Sequence, residues 1–252
     1  MLSFGVRGLA AWAPGVEGEA AWRSWSKAPF ALPAEGAPDV PFLPALLRRR
    51  CSPLSKTMLQ VAWAACPESE RASVRAVFSS RHGENRESMA HFEQLVAGQP
   101  LSPTRFTHTV HNAQASIFSI ATGNRCASSA IAGERDGFGA GILEALGHLQ
   151  REPSRPTLLV VGDVPAADFC RDLTGEPAAT FAVALLLAAG DAASQPAGST
   201  ARRVGYELLT AEAPGAPAER PAALEFVRWW SGDAPVLELQ GPRARHRFTR
   251  LS

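Results

Sequence analysis

Apolar and polar positions along the chain alternate between two rhythms. Phe4 to Trp12 is a short apolar run closed by Pro14-Gly15 and predicts a strand. Val16 to Lys27, with Trp22 and Trp25 three apart, predicts a half-amphipathic helix, and the Pro/Ala/Gly-rich stretch that follows to Pro41 predicts a loop. Between Pro44 and Cys66, Leu46, Leu47, Leu54, Met58, Leu59, Val61 and Ala62 keep helical spacing. Ser52-Pro53 interrupts them, and the proline starts a second helix in its first turn. Val74 to Ser79 predicts a strand and Glu87 to Ala97 a helix ended by Gly98. Ser116 to Thr122 is short and apolar, and Cys126 to Ala132 predicts a buried strand of small residues. Glu134 to Leu149 places Phe138, Ile142, Leu143 and Leu146 on one helix face.

Thr157 to Val161 and Phe181 to Ala188 are apolar throughout, the pattern of strands covered on both faces. Gly190 to Thr200 predicts a loop, and Arg203 to Leu209 is strand-like. A Pro/Ala linker runs to Pro221, and Leu224 to Trp230 and Val236 to Leu239 are again strand-like. Strands alternating with helices predict an α/β layered domain.

Composition narrows the function classes. With 252 residues, 46% hydrophobic and 19% charged, the chain has the material for a packed core and is not disordered over its length. Lys+Arg 25 against Asp+Glu 24 leaves a net charge of +1, which argues against a surface built for nucleic acid or anionic membrane. Lys27 and Lys56 are the only lysines, a bias we read as genomic base composition. The longest apolar stretch, Ala178 to Ala189, falls short of the ~20 residues a membrane span needs. The start, MLSFGVRGLAAWAPG, does not read as a signal peptide. Cys51, Cys66, Cys126 and Cys170 lie far apart with no CxxC pair, so a reducing, cytoplasmic setting is expected. Neither GxGxxG nor GxxxxGK[ST] occurs, and no cofactor is expected.

Candidate chemistry is sparse. His108 and His111 stand three apart in TRFTHTVHN, but no third ligand has suggestive spacing, so they read as polar loop histidines and no metal is expected. Nucleophilic catalysis needs a thiol or hydroxyl beside a base. Cys126, in GNRCASSAIAG, is flanked by the small residues a tight active-site turn requires, yet a small apolar residue on a buried strand reads equally well.

Taken in order, RRRCSPLSKTMLQVAWAA, AVFSSRHGE, SPTRFTHTVHNAQASIFSIATGN, GERDGFGAGILEAL, LLVVGD and ATFAVALLLAAG resemble the N-terminal half of a β-ketoacyl synthase, a thiolase-fold condensing enzyme. More closely, they resemble the short ketosynthase-like chain-length factors of aryl-polyene clusters. The resemblance covers roughly residues 3 to 190. It implies a single domain over 1–252: a thiolase-like half-fold with a mixed five-stranded sheet and helices on its faces, then extra C-terminal strands in a truncated extension, 191–252. In this family the catalytic cysteine sits on a sharp turn between a buried strand and a long helix, whose N-terminus lowers the thiol pKa.

Two alignments place that turn. One takes CASSA at Cys126, similar to the CSSS of polyketide ketosynthases. The other takes Ala132-Gly133-Glu134, with Glu134 in the nucleophile's place. Spacing favours the second, because Gly123 to Glu134 leaves room for the strand of small residues that precedes the nucleophile in the family. Gly137 and Gly141 then stand where the family's helix has glycines. A carboxylate in the first turn of a helix stabilises it by about 0.3–1 kcal/mol without any other role, so a purely structural Glu134 is also open.

The resemblance implies that the family's second half supplies two catalytic histidines and a lysine. Only about sixty residues follow Ala189, with His246 in RARHRF as their one histidine, read as part of a basic tail. The expected function is therefore a non-catalytic subunit that heterodimerises with a β-ketoacyl-ACP synthase, shapes the acyl tunnel and meets an acyl carrier protein. Phe106 to Ile120 and Cys126 to Ala132 are expected at the contact, with Phe106, His111, Asn112, Phe118 and Phe138 as tunnel or interface candidates. Arg48-Arg49-Arg50 would suit an acidic carrier protein, or is simply a solvated charged face. The rival expectation is a stand-alone acyltransferase or thioesterase using Cys126, with His108 or His111 as base.

Overall fold

A computed structural model describes residues 1–170, 179–190, 201–210, 220–242 and 244–251. Its strands are β1 (Leu2–Ala13), β2 (Val16–Glu17), β3 (Arg75–Ser79), β4 (Ser128–Ile131), β5 (Thr157–Asp163), β6 (Phe181–Ala189), β7 (Arg202–Thr210), β8 (Val236–Gln240) and β9 (Ala244–Leu251). The helices are α1 (Gly18–Lys27), α2 (Ala45–Arg48), α3 (Pro53–Ala65), α4 (Glu68–Arg71), α5 (Asn85–Val96), α6 (Pro103–Phe106), α7 (Ala113–Thr122), α8 (Gly137–Arg151) and α9 (Ala222–Ser231). Among the described residues, no helix is long and apolar enough to cross a membrane.

The strands form one mixed sheet in the order β4-β3-β5-β6-β1-β7-β9-β8, with β2 pairing back onto β1. β3 runs parallel to both β4 and β5, and the other pairings are antiparallel. The first five strands in that order make the mixed half-sheet expected from the sequence, and β7, β9 and β8 extend it beyond β1.

Both faces of the central strands are covered. β5 and β6 are buried almost end to end, and their alternate side chains feed two cores. Leu159 and Val161 join Phe4, Trp22, Ile142 and Phe226 under α1, α8 and α9. Leu158 and Val160 join Leu54, Met58, Phe78 and Phe118 under α3 and α7. Each fully buried side chain of this size contributes about 1.5–3 kcal/mol, so β5 and β6 bind both layers to the sheet. Ser52 caps α3, its hydroxyl accepting from Ser55 N at 2.9 Å, and Pro53 occupies the first turn as expected.

Two expectations are corrected. Leu224–Trp230 is not a strand but most of α9, which starts behind Pro221 and buries Leu224, Phe226, Val227 and Trp229. Phe226 meets Phe248 edge-on at 5.3 Å and Phe138 at 5.2 Å, which fixes the helix on the sheet. The basic tail around His246 is strand β9, paired on both sides: its Arg247 lies opposite Glu207 of β7 and Glu238 of β8, and it bonds both. The C-terminal segment is therefore not a loose extension, since Val204, Tyr206, Phe226 and Phe248 belong to the same core as Phe4. All of the Gly190 to Thr200 loop after Gly190 and most of the Pro/Ala linker before Pro221 lie outside the described residues.

Candidate functional site

Some of the residues expected to carry chemistry, Glu134, Phe138 and His111, lie where β3, β4 and β5 end. In parallel α/β sheets ligands bind beyond the carboxyl ends of the strands. β4 is a short edge strand whose Ile131 lies beside Ser79 of β3. The carbonyl of Ile131 accepts from Ser80 N at 3.1 Å and from His111 Nε2 at 2.8 Å. A carbonyl only accepts, so that imidazole carries its proton on Nε2. After Ile131 the chain turns through Gly133 into a single 3-10 turn, Glu134–Asp136, which runs directly into α8.

This corner is tight. A Cβ on Gly133 would lie 2.7 Å from the Cα of Gly137, so glycine is required there by close approach. Glu134 has a φ of +49°, in the left-handed region where a non-glycine residue costs about 1–3 kcal/mol and is held only by its surroundings. Asp136 N donates to the carbonyl of Gly133 at 2.8 Å, and Ser79 Oγ donates to that of Gly137 at 2.8 Å. The exposed Glu134 side chain and Phe138 border a cavity of about 80 Å³, with Arg81, His82 and Asp163 on its polar side. Asp163, the last residue of β5, shapes that side by accepting from Ser80 Oγ at 2.7 Å, Arg81 N at 2.9 Å and His82 N at 3.3 Å.

The structure distributes the expected residues unevenly. Glu134, Phe138 and His111 share this corner. Asn112 stands at the N-terminal end of α7, which packs against β3 and β4, and Phe106 is 60% exposed at the end of α6. Phe118 is elsewhere. It is buried across the sheet from Phe138, 5.9 Å from Phe78 and 5.9 Å from Trp63, so one cavity does not hold both phenylalanines.

Cys126 is at the opposite end of β4 from the turn. Its Sγ donates to the carbonyl of Ser73 at 3.2 Å and accepts from Arg155 Nη1 at 2.9 Å. His111 sits against Ile131, five residues further on, or about 16 Å at the ~3.3 Å rise of a strand. The Cys126–His111 pair expected of a stand-alone acyltransferase is therefore not assembled. His108 lies near Arg50, and partial burial followed by that charge pulls its pKa down.

Sequence reasoning passed over Arg81, His82, Asp136 and Asp163. Their shared signal is position: each lies two or three residues beyond a predicted strand or turn, in SSRH, VVGD and GERD.

The family model for the β-ketoacyl synthase N-terminal domain matches residues 22–249. No curated protein matches the chain. Among solved structures, a chain from the complex of the ketosynthase ApeO with its chain length factor ApeC, from Xenorhabdus doucetiae, superposes with a TM-score of 0.81 at 24% identity, covering 99% of this chain and 100% of that one. A β-ketoacyl synthase from Burkholderia phymatum STM815 gives a TM-score of 0.66 at 12% identity, covering 83% of this chain and 65% of that one. The ishigamide ketosynthase/chain length factor gives 0.63 at 15% identity, covering 83% and 68%. This chain thus spans about two thirds of those two chains and the whole of the first. At these identities the likeness is one of fold.

Proposed function

The chain belongs to the β-ketoacyl synthase N-terminal domain family, and on that premise we propose that it is a non-catalytic, chain-length-factor-like subunit that pairs with a ketosynthase. One observation carries the reading: at the left-handed turn between β4 and α8, where the family's resemblance places a nucleophilic thiol, the side chain is the carboxylate of Glu134. A carboxylate is a poor nucleophile toward thioesters. It still suits the turn electrostatically, being favoured by about 0.3–1 kcal/mol at a helix N-terminus.

The surface beside this turn supports the pairing. β4 ends the sheet, its outer edge has no strand beside it among the described residues, and Ser128, Ser129 and Ala130 offer no charge or proline to blunt that edge. On the α6–α7 segment, whose α7 packs against β4, stand Phe106 at 60%, Val110 at 40% and Ile120 at 71% exposure. An open strand edge bordered by exposed apolar side chains is what a partner strand and its helix would cover.

In this reading the partner supplies the thiol and the histidines, and this chain closes the acyl tunnel, with Phe138 at the cavity as a wall candidate. The substrate class is an acyl chain on a carrier protein, in polyene or fatty-acid-type synthesis. The carrier is acidic and the exposed Arg49-Arg50 face is where it would approach. The compartment is the cytoplasm, in keeping with four free cysteines.

Size-exclusion chromatography with light scattering, on this chain alone and co-expressed with a candidate ketosynthase from the same genome, tests the pairing. A one-to-one heterodimer that Ile120→Glu disrupts is the expected result. A homo-oligomer indifferent to the ketosynthase overturns it. In the heterodimer Glu134→Ala should retain condensation, whereas alanine at the partner's own nucleophile should abolish it.

A further inference from the structure

Behind the Glu134 turn, three polar side chains from distant parts of the chain meet: Tyr206 and His246 inside the core and the partly exposed Asp136 at its edge. His246 of β9 is 1% exposed. Its Nε2 lies 2.9 Å from Asp136 Oδ1 and 3.1 Å from Oδ2, and its Nδ1 lies 2.8 Å from the hydroxyl of Tyr206 on β7. Chemistry orders the protons. A carboxylate only accepts, so Nε2 carries hydrogen and donates it to Asp136. Burial first, and then the nearby Asp136, push the Tyr206 hydroxyl far above its usual range, so it stays protonated and shares a hydrogen bond with Nδ1. The imidazole is held in place from both ends.

Hydrophobic packing alone does not call for this arrangement. The same face of β9 places Phe248 in the aromatic cluster, and an apolar residue at 246 would avoid burying polar groups. The surroundings are nonetheless cut to fit the trio. A Cβ on Gly139, in the first turn of α8, would collide with His246 Nε2 and Asp136 Oδ1. One on Gly241, after β8, would come within 2.9 Å of the Asp136 carboxyl carbon. Asp136 itself closes the 3-10 turn that holds Glu134 at positive φ.

We propose that Asp136, His246 and Tyr206 form a positioning relay, through which the C-terminal strands β7 and β9 hold the left-handed turn at Glu134 and so set how residue 134 meets the cavity. Tyr206 and His246 are buried away from the cavity and act only through Asp136, so these are positioning residues. The relay is a property of this chain alone. Its consequence for product length rests on the pairing with a ketosynthase proposed above.

Hydrogen exchange of the isolated chain, read by mass spectrometry, tests the relay. Asp136→Ala and His246→Leu should speed exchange over residues 132–138 by about tenfold relative to α3, the mark of a local opening. His246→Gln places an amide donor near Nε2 and should restore most of that protection. Should His246→Leu fail to fold, Tyr206→Phe, which removes only the hydroxyl, is read by the same comparison. Equal acceleration in α3 and at the turn, or none at the turn, overturns the relay. In the heterodimer, His246→Leu and Glu134→Ala should shift the product-length distribution in the same direction. An intact relay in a chain that binds no ketosynthase would sink the pairing and leave the relay standing. A heterodimer with a turn indifferent to all these substitutions would do the reverse.

Discussion

Ser79 Oγ donates to the carbonyl oxygen of Gly137 at 2.8 Å, and both residues are buried. This bond ties the end of β3 to the first residue of α8 and spans the turn that carries Glu134. Ser79→Ala leaves that carbonyl without its side-chain donor, so unfolding free energy should fall by about 1–2 kcal/mol. Urea denaturation should show a lower midpoint at an unchanged slope.

Backbone strain at Glu134 makes an opposite prediction. Glycine takes a φ of +49° freely, so Glu134→Gly should match or exceed the parent chain in stability despite the entropy glycine adds to the unfolded state, about 0.5–1 kcal/mol. Glu134→Val, β-branched at the same backbone position, should lose about 1–3 kcal/mol. Thermal unfolding of the pair checks the sign in both directions.

Much of this corner was legible in the sequence. The run of small residues before Glu134 and the glycines behind it located the turn, because close approach and a sharp reversal leave few residue choices. The relay was not legible. Asp136 and His246 are 110 residues apart, and nothing local to RARHRF distinguishes a strand from a basic tail. Its partners lie far off in sequence: Arg247 pairs with Glu207 and Glu238, and Arg245 with Glu238, once β7 and β8 flank it. α9 was misread for a different reason. Phe226, Val227, Trp229 and Trp230 have strong strand preference, but a helix buries that same apolar group against Phe138 and Phe248.

Glu84 predicts a pH dependence. Burial, with Glu87 adding to it, raises its pKa, against hydrogen bonds from Ser52, Ser55 and Gln114 that pull it down. A carboxyl raised in the folded state contributes stability that is complete below its unfolded value, about 4.3, and is lost as pH rises through the folded one. Glu84→Gln keeps an acceptor for the same donors and removes the charge. Its stability relative to the parent should therefore climb as pH rises from about 4 and level off above the folded pKa, a trend urea midpoints across that range would reveal.

Thiol reactivity should separate the cysteines by position. Burial pushes Cys66 up to about 12 and Cys51 up to about 11, with Glu70 adding to the first and Lys56 opposing the second. At pH 7 they are thiolate in only about one part in 10⁴ to 10⁵. Iodoacetamide followed by mass spectrometry should modify the half-exposed Cys126 while leaving Cys66 and Cys51 intact until the chain unfolds. Modification of Cys126 should leave pairing with the ketosynthase competent for condensation.

The two phenylalanines proposed for the tunnel should part company. Phe118→Ala opens a hole among Trp63, Phe78 and α3 and should cost about 3–5 kcal/mol of stability. Phe138→Ala also removes core contacts, yet it widens the cavity beside Glu134, so it alone should lengthen products in the heterodimer. Product chain lengths from both variants, compared at temperatures where each stays folded, decide the matter.

The place of β1 in the sheet has a consequence for biosynthesis. It lies between β6 and β7, so both neighbours leave the ribosome roughly 170 to 190 residues after it. At about 5–20 residues per second, an apolar strand waits on the order of ten seconds or more with only its last two residues matched, by β2. The central strand is therefore among the last to find its long-range neighbours, and most of its backbone groups go unpaired until the final third of the chain has been made.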